Sequence, residues 1–275
     1  MKNLLIFFRF YVHSNIHVSI ASACLVLLTG EFYKINVGLL ALFIGLSTFI
    51  SYNFIRFLKA KTETLKVEIL DWFQKTYTLL FIFVVLAISA LLFVTFKIGL
   101  EKLWLVFPFG IITFLYMLPL LKIGKNKMSL RNIPGVKIFS IAFSWAGLGS
   151  LLPLYYAAYA IDTIEIFYFF QILLFVFVLT LPFDIRDIAF DQSSLRTIPQ
   201  VIGLFKTKIV GSFCLLLSLC LHLYVFAFDF FFSSLLIYVC LTLLLFYSKT
   251  KQSKYYASFL VESIPILWYV LIYFS

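Results

Sequence analysis

Acidic side chains are scarce in this chain: 12 Asp and Glu stand against 22 Lys and Arg in 275 residues. Charged residues of both signs make up only 12%, about half the share in a soluble domain, and 63% of the chain is hydrophobic. That shortage excludes a water-facing globule. Cysteine is also rare. Cys24, Cys214, Cys220 and Cys240 form no Cys-x-x-Cys pair and each lies in an apolar run, so they read as small buried residues rather than a disulfide framework or thiolate metal site. The few Gly, Ser and Pro residues never gather into a linker, and residues 1–275 read as one integral membrane domain. The net charge of +10 is spread between apolar runs instead of forming a basic domain, which argues against a nucleic-acid partner.

What is abundant is uninterrupted apolar sequence. A helix needs about 20 mostly apolar residues to cross the hydrocarbon. Cutting the chain at its charges leaves nine such segments: 10–30, 35–55, 76–96, 103–121, 138–161, 166–183, 209–228, 230–248 and 255–275. Backbone groups must find partners inside lipid, and these runs lack the alternation of barrel strands. The expected fold is all-α, a polytopic bundle of nine transmembrane helices surrounded by membrane lipids. The triplet before Cys24, Ala21-Ser22-Ala23, faintly resembles a cleavage site, but cleavage there would cut through a full-length span.

The basic residues set sidedness. With the N-terminus inside, all of the 22 Lys and Arg except Lys34, Lys97 and Lys102 fall in cytoplasmic segments. The positive-inside rule then places the N-terminus in the cytoplasm and the C-terminus outside, as in a multi-pass protein of a bacterial inner membrane. The long connections, 56–75, 122–137 and 184–208, are all on the cytoplasmic side, where polar chemistry is expected. In the first of them Leu65, Ile69, Trp72 and Phe73 approach a helical period, which fits either an amphipathic surface helix or a solvated connector.

One of these connections opens with three of the few acids, in "DIRDIAFD", Asp184 to Asp191. On a continuous helix Asp184, Asp187 and Asp191 fall within about 60° of one another. Carboxylates that close repel unless cations neutralise them. One reading is a Mg²⁺ site holding a phosphate or diphosphate, since Mg²⁺ is typically bound by one or two carboxylates together with substrate phosphates. The other is a solvated helix end paired with Arg186 and nearby lysines.

"DIRDIAFD" followed by "LRTIPQVIG", with "YMLPLLK" (Tyr116 to Lys122) ending the fourth run, resembles the UbiA superfamily of intramembrane prenyltransferases. Nine spans with a cytoplasmic N-terminus are similar to that family as well. The resemblance implies an enzyme that moves an isoprenyl group from an isoprenyl diphosphate to a lipophilic, often aromatic, acceptor. It implies Mg²⁺ held by two aspartate-rich motifs, here Asp184, Asp187 and Asp191 for the second, with Arg186, Tyr116 and Lys122 beside them. The first motif, Asn-Asp-x-x-Asp-x-x-x-Asp, falls on "SYNFIRFLKAK". Asn53 matches it, whereas Phe54, Phe57 and Lys61 stand where aspartates are expected. Either Arg56, Lys59 and Lys61 bind the diphosphate directly in place of one metal ion, or transfer activity is lost and a lipid or partner pocket remains.

A small transporter with an acidic cytoplasmic gate is the alternative from another class; the chain shows no internal repeat and little intramembrane charge in its favour. Glu262, inside the ninth run, either faces a cavity or snorkels to the interface. His13 and His17, spaced i, i+4, are a metal pair by geometry or interfacial residues. His222 reads as a packing residue. Asn53 either orients a phosphate or caps a helix end. Glu63, Glu68 and Asp71 are candidate replacement carboxylates or a solvated face.

Overall fold

The computed structural model describes residues 2–61, 67–118, 121–123 and 126–275. Within them the regular structure is helical apart from a small antiparallel hairpin, β1 (Leu121–Ile123) and β2 (Asn126–Met128). The helices are α1 (Lys2–His13), α2 (Ile16–Tyr33), α3 (Gly38–Lys61), α4 (Val67–Ile98), α5 (Val106–Met117), α6 (Val136–Ala146), α7 (Leu152–Tyr156), α8 (Thr163–Asp187), α9 (Ile198–Ile202), α10 (Leu204–Phe226), α11 (Phe231–Tyr247) and α12 (Ile264–Tyr273). A π-helical stretch, Gly147–Leu151, joins α6 and α7 into one span, and another, Tyr256–Val261, leads towards α12.

Among the described residues seven helices are long and apolar enough to cross a membrane, which suits a multi-pass membrane protein. Two of the nine expected crossings are shorter. With 12 and 17 residues, α5 and α11 rise about 18 and 26 Å, against a hydrocarbon thickness of about 30 Å.

The first expected run begins differently from the charge pattern. It is broken at Ser14-Asn15, where Asn15 takes a left-handed conformation with φ 66°, tolerable because Asn is one of the few L-residues that visits that region at low cost. The chain therefore turns between α1 and α2. On α1 the side chains of Leu4 to Phe7 are exposed, while Phe8 packs edge-on against Tyr255 and Phe259 and Phe10 packs against Trp72 and Phe83.

The connection after the second run is also different. Residues 56–61 belong to α3 and 67–75 to α4, so the described parts of this stretch are the ends of two long helices; residues 62–66 lie outside the described residues. Trp72 and Phe73 are buried there. Glu63 and Leu65 lie outside the described residues, as does the side chain of Glu68. Asp71 is exposed and pairs with Lys75 at 2.9 Å.

Helices α2 and α8 form the interior and are mostly buried, whereas α4 is an outer helix whose Phe81, Leu86, Phe93 and Phe96 are exposed. Helix α8 packs on α6, α10 and α11, and α2 packs on α3 and α12. Their shared core includes Tyr168, Phe175, Tyr238 and Trp268. In water such an exposed row would be costly; in lipid it is the ordinary outer surface. Close approach between α5 and the α6 span depends on Gly147, where a Cβ would overlap the Phe109 ring.

Candidate functional site

At one end of the bundle a cavity of about 410 Å³ opens between the last turns of α3, α5 and α8 and one face of α6 from Lys137 to Trp145. Its deeper wall is apolar, formed by residues such as Ile55, Ile112, Ile141, Val176 and Leu179, with the rings of Tyr52, Tyr116, Trp145 and Phe183. Its polar end carries five cations, Arg56, Lys59, Arg131, Lys137 and Arg186, and three acids, Asp184, Asp187 and Glu262. The shape suits an amphiphile with an anionic head and a hydrocarbon tail.

Local structure places these groups. Helix α8 starts where Glu165 reaches back to accept the Asp162 N–H at 2.9 Å, a box-type start. It runs to Asp187, with Pro182 in its last turns removing the N–H that the Val178 carbonyl would otherwise receive. Asp191 lies beyond the helix, in a turn closed by its own N–H donating to the Asp187 carbonyl at 2.7 Å. The expected single helical face for the three aspartates is thus not what forms. Asp184 and Asp191 still meet, because Lys137 Nζ sits 2.9 Å from Asp184 Oδ1 and 2.8 Å from Asp191 Oδ2. Asp187 turns instead to Arg186, whose Nε and Nη2 donate to its two oxygens at 2.9 and 2.8 Å.

The segment after the aspartates secures the Asp191 turn. Gln200 Oε1 accepts the Thr197 N–H at 3.0 Å at the start of α9, and Gln200 Nε2 donates to the Asp191 carbonyl at 3.2 Å. The Gly135 N–H donates to the Leu195 carbonyl at 3.0 Å, drawing the start of α6, and with it Lys137, towards the same loop.

Among the described residues no three His, Cys, Asp or Glu side chains come together as a metal-binding group. The place between Asp184 and Asp191 is taken by an ammonium, and both Asp187 oxygens are taken by a guanidinium. The carboxylates as arranged do not fit the expected Mg²⁺ ligand set.

No protein-family model, curated protein or solved structure matches the chain.

The other expected site residues divide. Arg56, Lys59, Tyr116 and Arg186 reach the cavity. Asn53 does not: it is fully buried, its Nδ2 donating to the Ser14 and Phe49 carbonyls at 2.9 Å each and its Oδ1 accepting from Asn15 Nδ2 at 3.1 Å. Asn15 Oδ1 in turn accepts from Arg56 Nη2 at 3.0 Å, and the Arg56 guanidinium lies 5.5 Å from the centre of the Trp72 ring. Asn53 is thus a brace for the cation rather than a ligand on the wall. Lys61 lies at the exposed end of α3, beside a separate surface hollow with Phe54, Phe57 and Tyr77. Lys122 is in β1, but its side chain lies outside the described residues.

Lys137, Arg131, Asn15, Tyr52 and Trp145 also line the cavity, and nothing in the linear sequence singles them out from other lysines and aromatics. Glu262, at the end of the second π-helical stretch, faces the cavity, which decides between its two readings. His13 and His17 fall on different helices because of the break at Asn15, so the i, i+4 metal spacing is lost. His17 Nε2 donates to the Phe259 carbonyl at 3.0 Å and Nδ1 accepts from Tyr11 at 2.8 Å, a link between α2 and the segment before α12. His222 is buried with its Nδ1 at 3.0 Å from Gln171 Nε2, as a packing residue would be.

Proposed function

We propose that the chain is an intramembrane prenyltransferase resembling the UbiA superfamily, acting on an isoprenyl diphosphate and a lipophilic acceptor. The observation that supports this reading is convergence. Arg56 and Lys59 from α3, Tyr116 from α5 and Asp184, Arg186 and Asp187 from α8 are far apart in sequence, yet all line one amphiphilic cavity. In this reading α5 and α11 complete nine crossings, and the cavity opens to the cytoplasm, with the N-terminus inside and the C-terminus outside.

The diphosphate head sits among Arg56, Lys59 and Arg131, whose guanidinium and ammonium groups match phosphate oxygens. The prenyl tail runs along the wall of Ile112, Ile141, Val176 and Leu179. Transfer breaks the allylic C–O bond, and its electron pair leaves with the diphosphate. The acceptor forms the new bond to the allylic carbon, and its proton leaves with the diphosphate. The fixed cations stabilise charge growing on the leaving oxygen. Positive charge growing on the allylic carbon faces the rings of Tyr52, Tyr116 and Trp145, which attract cations through their π faces.

A second reading, a pocket of the same type that binds without transferring, is favoured by the first motif. Phe57 occupies an expected aspartate position and packs edge-on against Phe73 and Tyr77, away from any ligand chemistry. Detergent-purified protein given labelled farnesyl and geranylgeranyl diphosphate with candidate aromatic acceptors separates the two. Saturable binding with diphosphate release, weakened about tenfold or more by Arg56→Ala, supports transfer. Binding without release for every acceptor supports the second reading, and absence of binding refutes both.

A further inference from the structure

We infer that this cavity holds a diphosphate head through fixed cations alone, with the Lys137 ammonium standing between Asp184 and Asp191 where a divalent ion would otherwise sit. The inference rests on the reading above that the ligand is an isoprenyl diphosphate, and it adds how that ligand is recognised.

Three observations carry it. The first is occupancy of the carboxylates. Lys137 Nζ is 2.9 Å from Asp184 Oδ1 and 2.8 Å from Asp191 Oδ2, and Asp184 is only 3% exposed. Magnesium would need oxygens at about 2.0–2.1 Å in near-octahedral geometry, and entry at this point would require driving a half-buried ammonium off two partners. Asp187 offers no substitute, since Arg186 grips both of its oxygens.

The second observation is the balance of charge. Five cations and three acids line the cavity, so even with Asp191 added the positive side is in excess. A lone dication entering such a site is repelled, whereas an anion is drawn in.

The third is donor capacity. An ammonium has three N–H groups. Lys137 directs two of them at Asp184 and Asp191 and lines the cavity, which leaves one for a phosphate oxygen. Arg56, Lys59 and Arg131 reach the same cavity from α3 and from the 3₁₀ turn Leu130–Asn132. Four cations from three segments thus surround the head. They are built into the fold and do not have to arrive with the substrate. The two aspartates then serve as positioning groups that hold Lys137 at the mouth.

The test is equilibrium binding of tritiated farnesyl diphosphate and, in parallel, geranylgeranyl diphosphate to the protein in detergent, once with excess EDTA and once with Mg²⁺. The expected dissociation constants agree within about threefold. Lys137→Ala opens Asp184 and Asp191 to a cation. It is expected to weaken binding in EDTA by about tenfold or more, with Mg²⁺ restoring it. Lys137→Arg, which keeps the charge, retains binding in EDTA. If wild-type protein binds only with Mg²⁺, the inference is overturned and the prenyl diphosphate reading stands. If Lys137→Ala binds as wild type does in EDTA, the role given to Lys137 is overturned. If neither farnesyl nor geranylgeranyl diphosphate binds under either condition, the functional reading itself fails. Should Lys137→Ala elute as aggregate on size exclusion, the wild-type pair of measurements decides the inference.

Discussion

At the scale of single residues, the arrangement separates groups that touch a ligand from groups that hold them. Asn53 shows the difference. Its identity matches the asparagine of the family motif it resembles, yet its three hydrogen bonds go to Ser14, Asn15 and Phe49. Replacing Asn53 by Ala strands the Ser14 carbonyl and the Asn15 amide in a buried place. Leaving a buried polar group unpaired costs about 1–3 kcal/mol, so Asn53→Ala is expected to lower thermal stability in detergent, and to weaken diphosphate binding indirectly by loosening Arg56. Arg56→Ala is expected to weaken binding with a smaller loss of melting temperature. Equal melting losses for the two variants would remove the distinction between brace and ligand. The residue scale also shows why the aspartates were only half legible. Their chemistry and neighbourhood are visible in "DIRDIAFD", but a shared face assumes a continuous helix, and α8 stops at Asp187. Lys137 is invisible in sequence because its importance comes wholly from a loop 54 residues away folding onto it.

At the scale of elements, two breaks and one close approach determine where the site falls. The break at Asn15 turns α1 away from α2 and lets Asn15 face Arg56. The hairpin and the 3₁₀ turn after α5 bring Arg131 to the cavity. The close approach is α5 against the α6 span at Gly147, where Phe109 occupies the space a side chain would need. Gly147→Leu is therefore expected to push α5 outward, destabilising the fold by about 1–3 kcal/mol through overpacking, and to reduce binding because Tyr116 rides on α5. Phe109→Ala on top of Gly147→Leu should recover much of the loss, giving a coupling that a double-mutant cycle measures. Additive losses would show that the two side chains do not compete for one space. That apolar helices exist was legible from runs of uncharged residues; that α5 has only 12 residues was not, since hydropathy runs on through its flanks.

At the scale of the whole molecule, the basic connections gather at the end of the bundle that bears the cavity. Arg56, Lys59, Arg131, Lys137 and Arg186 all reach it, and Gln252, between α11 and α12, lies there too, 3.5 Å from the Pro182 carbonyl. If this end faces the cytoplasm, as the positive-inside rule expects, single cysteines in a background without native cysteine should report it. Lys251→Cys should react with a membrane-impermeant maleimide only after cells are opened, and Ser275→Cys should react in intact cells. The reverse pattern would invert the proposed topology and place the cavity on the outer face.

The sequence by itself marked an all-helical chain of long apolar runs and their rough positions, because burying charge in hydrocarbon is so costly that charges mark where runs end. It also marked one acidic segment as unusual for the same reason. Only the tertiary structure decided which cations meet those acids, because pairing between remote segments depends on where helices break and how closely they pack. A side chain at Gly147, a straight helix through Asn15 or a longer α8 would each leave the composition and the hydropathy almost unchanged, yet each would move Arg56, Tyr116 or Asp191 away from the cavity and its Lys137.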